Sequence, residues 1–85
     1  MTAIQKKTEV ETEVSRFYSK DGSLMATVSQ YRDNKSFFVD FYKDEVIIGT
    51  RSFDDKTLRY AEDVAENFVD GIITFDKKTW RLHGI

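Results

Sequence analysis

Residues 55–70 carry an apolar stripe at helical spacing, and nothing before them does. Leu58, Ala61, Val64, Ala65 and Phe68, continued by Ile72, recur every three or four positions and leave Arg59, Glu62, Asp63, Glu66 and Asp70 on the opposite side. Such a stripe needs an apolar surface to cover. Upstream, apolar and polar residues alternate with a period of two and are broken by short turns, the pattern of an antiparallel sheet with one buried face. The two patterns satisfy each other. They predict an α+β domain, an antiparallel four-stranded β-meander followed by one amphipathic α-helix (ββββα), with a short C-terminal extension or fifth strand.

The first strand is expected over residues 8–18, where Val10, Thr12, Val14, Arg16 and Tyr18 alternate with Glu9, Glu11, Glu13, Ser15 and Phe17. Asp21-Gly22 marks a tight turn, because glycine tolerates positive φ, and residues 24–32 resume the alternation. A turn at residues 33–36 leads to a strand over 37–42, with Phe37, Val39 and Phe41 on one face and Phe38, Asp40 and Tyr42 on the other. Asp40 marks the wetter face. Residues 43–45 turn the chain into a fourth strand, 46–53, where Gly49 suits a bulge or a close approach. A bulge there or near Phe17 would exchange inward and outward sets beyond it. Ser52, Asp54 and Asp55 compete as helix N-cap, and Gly71 suits the left-handed residue that ends a helix, letting Ile72 fold back towards Phe68. Beyond it, Thr74, Phe75, Trp80 and Leu82 suggest a short strand.

With 85 residues there is room for one small domain, placed at 8–85 behind a loose arm, 1–7. A core of this size typically nets only ~3–5 kcal/mol, which makes a homodimer a natural remedy. The chain has no cysteine, so neither disulfides nor thiolate metal sites support it. No apolar run approaches a membrane span and no signal peptide is visible, so a soluble, cytoplasmic protein with no membrane partner is expected. Thirteen Lys and Arg against 15 Asp and Glu give a net charge of −2, unlike a general phosphate-coating binder.

Catalysis needs titratable groups gathered in a cleft, and none gather here. His83 stands alone, the four glycines are isolated, and Glu62 with Glu66 reads as part of a solvated acidic face in which Arg59 offsets Asp63. No enzyme, cofactor or metal is expected. Two surfaces remain. Phe38 and Tyr42, with Tyr31 and the cations Lys43 and Arg51 nearby, form a candidate nucleic-acid or partner surface, since bases stack on aromatic rings at ~1–3 kcal/mol each. The same face could instead be covered by a second protomer or by the Trp80 and Leu82 segment. Glu62, Asp63, Glu66 and Asp70 form a candidate acidic face for a basic protein partner.

Residues 46–72, above all Lys56-Thr57-Leu58-Arg59-Tyr60-Ala61-Glu62-Asp63-Val64-Ala65-Glu66-Asn67-Phe68-Val69-Asp70-Gly71-Ile72, resemble small uncharacterised proteins of tailed phages that infect marine cyanobacteria. That resemblance implies a small accessory phage product in the cytoplasm of an infected bacterial host, and it supplies no active residues. Four strands followed by one helix also resemble the element order of whirly-type single-strand-binding domains, whose lysine- and glycine-rich motif is absent here. The function expected is a homodimeric protein-interaction module, or alternatively a single-stranded nucleic-acid binder.

Overall fold

The computed structural model describes residues 11–76, 78–79 and 81–84. The arm at 1–7, the start of the first expected strand and Trp80 lie outside the described residues. Strands β1 (Glu11–Tyr18), β2 (Leu24–Tyr31), β3 (Phe37–Lys43) and β4 (Val46–Phe53) form an antiparallel sheet in chain order, followed by helix α1 (Leu58–Val69). This is the α+β meander-and-helix architecture read from the sequence. The C-terminal segment forms two short strands where one was expected: β5 (Thr74–Asp76) and β6 (Arg81–His83) pair as a separate antiparallel hairpin.

Register decides which residues meet the helix. Phe41 lies opposite Ala26 on β2 and Gly49 on β4, and Val39 lies opposite Val28. These side chains bury against Ala61, Val64, Ala65, Phe68 and Val69, the apolar stripe of α1. Phe41 is central: its ring meets Phe68 edge-on at 4.8 Å and stacks on Phe75 of β5 at 5.3 Å. Phe75 in turn occupies the space beneath Gly49, where any Cβ would run into its ring. Glycine in mid-strand here marks a close approach, which is how the small hairpin fits under β4.

Both suspected bulges are present, displaced slightly. The β1–β2 register shifts between Glu13 and Ser15, leaving Val14 as the extra residue, so Ser15 and Phe17 lie on the helix face while Glu13, Arg16 and Tyr18 lie on the outer face. Straight alternation would have grouped Glu13 with Ser15 and Phe17. The second shift lies between Phe41 and Tyr42, where Ile48 is the extra residue of β4 and packs against the core.

The helix boundaries correct two expectations. Residues 54–56 are a turn, and the N-cap is Thr57, not Ser52, Asp54 or Asp55. The Thr57 hydroxyl accepts from the Tyr60 N–H at 3.1 Å. Gly71 does end the helix in a left-handed conformation, with φ 82°. The N–H groups of Ile72 and Ile73 then both reach the Asn67 carbonyl, and Ile73, 2% exposed, enters the core in place of Ile72, which is 62% exposed. At the β3–β4 turn Asp44 and Glu45 both take positive φ, 50° and 71°, matching the twist of a two-residue type I′ hairpin without the usual Asn-Gly pair.

Phe41→Ala is expected to cost ~3–5 kcal/mol, comparable with the whole net stability typical of a domain this size, so the variant should lose its cooperative unfolding transition in circular dichroism. Gly49→Ala is expected to cost ~1–3 kcal/mol by overpacking, and markedly less in a Phe75→Ala background, as denaturant midpoints of the double-mutant cycle would show.

Candidate interaction surfaces

The sheet face away from α1 carries the first candidate surface. Thr27, Ser29 and Phe38 are buried on it although no described element packs across them. Tyr31 lies against Phe38 with ring centroids 4.5 Å apart. Phe38 is only 4% exposed, so little of its ring is open to a ligand.

Beside the aromatics sits a polar network. Arg16 holds Glu13 through two hydrogen bonds, of 3.0 and 2.8 Å, and its guanidinium also donates to the Tyr18 hydroxyl at 3.3 Å. The Arg16 bond keeps the Glu13 carboxyl below its ordinary range, and the arginine's own proton is held more tightly in return. Asp40 lies opposite Thr27 and Thr50, and the Thr50 hydroxyl donates to its carboxylate at 2.6 Å. Burial nevertheless pushes the Asp40 pKa up, with the Thr50 bond working against the shift. Burial also raises the Tyr42 pKa, helped by the charge of Asp40 and opposed by hydrogen bonding to Thr27.

Of the five residues expected to share a surface, Tyr31, Phe38 and Tyr42 are on this face. Lys43 and Arg51 are not. Lys43 lies opposite Leu24, and Arg51 opposite Val39, register positions of the helix face. Lys43 stands at the rim of a groove of about 330 Å³ lined by Leu24, Ile48, Phe68, Ile73 and Phe75. Among the described strand residues the cation on the outer face is Arg16, which is already engaged by Glu13.

On α1 the acidic residues also divide. Glu62 is half-buried and accepts a hydrogen bond from the Ser15 hydroxyl of β1, tying the edge strand to the helix. Asp63, Glu66 and Asp70 are exposed. The expected pairing of Arg59 with Asp63 is not made: among the described residues Arg16 pairs with Glu13 at 2.8 Å, and the His83 Nε2 lies 3.7 Å from an Asp76 carboxylate oxygen. The described residues include no cluster of three potential metal ligands, and no helix among them is long and apolar enough to cross a membrane.

Sequence reasoning missed the contrast between the two edges of the sheet. Both edge strands carry a bulge, and at one edge β1 adds the charged Glu13–Arg16 pair, a device that discourages further pairing. At the other, β4 runs for eight residues with no described strand beyond it. Its Val46 and Ile47 are 61% and 49% exposed. The signal was available, since the last strand of a meander is necessarily an edge and Val46-Ile47 opens it. No protein-family model matches the chain, and neither a curated protein nor a solved structure matches it.

Because the Asp40 pKa is raised on folding, Asp40 favours the folded state while protonated and loses that contribution as the pH rises through its folded pKa. Asp40→Asn is therefore expected to raise the melting temperature at pH 7, with an advantage that shrinks as the pH falls towards 3. Thermal melts across that range check the sign.

Proposed function

We propose that this chain is a non-enzymatic protein-interaction module that works as a homodimer, in the kind of accessory role its resemblance to small tailed-phage proteins implies. One observation carries the reading: an eight-residue strand edge without a described partner, opening on exposed Val46 and Ile47. In so small a domain exposed apolar side chains on a pairing-competent edge favour association.

Single-stranded nucleic acid is the second reading, favoured by the aromatic patch of Tyr31, Phe38 and Tyr42. Its electrostatics are unfavourable. Asp40 sits within the patch and Arg16 is engaged by Glu13, leaving the cations Lys43 and Arg51 on the other face. Phosphate neutralisation needs cations beside the stacking rings.

Light scattering of the purified protein is expected to give twice the protomer mass of 9.9 kDa. Fluorescence anisotropy of a labelled single-stranded oligonucleotide is expected to stay flat at low and high salt. A monomer that binds the oligonucleotide with steep salt dependence would reverse the order of the two readings.

A further inference from the structure

We infer that β4 pairs antiparallel with β4 of a second copy about a two-fold axis between Ile48 and Gly49, joining the two sheets into one and setting Arg51 of each copy against the Asp44-Glu45 turn of the other. The inference rests on the homodimer reading and specifies its interface.

The first support is the order of faces along the edge. Val46 pairs with Lys43, which lies opposite Leu24 on the helix face, whereas Ile47 pairs with Tyr42 on the outer face. Ile48, the bulge residue, packs against the core, and Gly49 lies opposite Phe41, both on the helix side. Thr50 lies opposite Asp40 on the outer face, and Arg51 opposite Val39 on the helix face. From Val46 to Arg51 the order is helix, outer, helix, helix, outer, helix. It reads the same from either end. Opposed residues of an antiparallel pair must point to the same side of the sheet, and a two-fold between Ile48 and Gly49 meets that condition at every position: Val46 against Arg51, Ile47 against Thr50. Without the bulge an axis between those two residues would set helix-face positions against outer-face ones. An isologous contact needs this self-complementarity.

Charge is the second support. Arg51 is exposed and makes no ion pair or side-chain hydrogen bond among the described residues. In the paired register it stands opposite the partner's Val46, one residue from the partner's Glu45 and two from Asp44, whose carboxylates are also exposed and without an ion pair among the described residues. Each interface contains this cation–carboxylate meeting twice. Among the described residues of the opposite edge, Glu13 on β1 is instead held by its own Arg16. The proposal therefore commits the β4 edge to a copy of this chain; an extended segment of a different protein is the competing occupant.

Sedimentation equilibrium over a concentration series tests it, with circular dichroism confirming that each variant is folded. Ile47→Lys and Arg51→Glu are both expected to weaken dimerisation, Arg51→Glu by about tenfold or more, typical for reversing a close interfacial charge pair. Glu45→Arg should weaken it similarly. Combining Arg51→Glu with Glu45→Arg in one chain should restore the dimer to near the native dissociation constant, which a merely structural role of either residue would not produce. A native dimer indifferent to Ile47→Lys, or unrescued by the double exchange, overturns the β4 register while leaving the homodimer reading in place. A native chain that is monomeric throughout overturns both and leaves the edge to a different protein.

Discussion

The aromatic contact around Phe41 holds the domain together. Its ring is buried where three layers converge, with the sheet on one side, Phe68 of α1 on another and Phe75 of the hairpin on the third. Edge-on and stacked aromatic pairs contribute beyond the area they bury, roughly 0.5–1.5 kcal/mol each. That increment is large against the net stability of a domain of this length. The absence of a side chain at Gly49 is part of the same contact, because it is the space that lets Phe75 approach the sheet.

Local irregularity decides the surfaces more than overall architecture does. The bulge at Val14 moves Arg16 and Tyr18 to the outer face alongside Glu13 and turns Ser15 towards Glu62 of the helix. The one at Ile48 puts two successive residues of β4 on the core side. Each inserts a single residue, and each reassigns what its strand shows to solvent.

This explains which parts were legible in the sequence. Strand and helix identities followed from periodicity, and β4 was delimited at its observed ends, because alternating burial leaves a strong mark when one face meets a helix. Caps were less legible. Thr57, Asp54 and Asp55 are all competent side chains, and only the turn at 54–56 selects among them. Ile72 and Ile73 are chemically identical, so the left-handed Gly71 determines which one is buried. The candidate surface was half legible: Tyr31, Phe38 and Tyr42 share a face as period two requires, but Lys43 and Arg51 occupy the alternate positions, and proximity in sequence was mistaken for proximity on a face.

The order ββββα has a consequence for how the chain is made. A meander assembles from neighbours, each strand pairing with the one synthesised just before it, so all the hairpins of the sheet can close while α1 is still inside the ribosome. Ala26, Val28, Val39 and Phe41 then form an apolar plane without its lid. The bond from Ser15 to Glu62 spans 47 residues and cannot form until the helix emerges. For that interval the nascent sheet exposes on one side the surface the finished protein conceals.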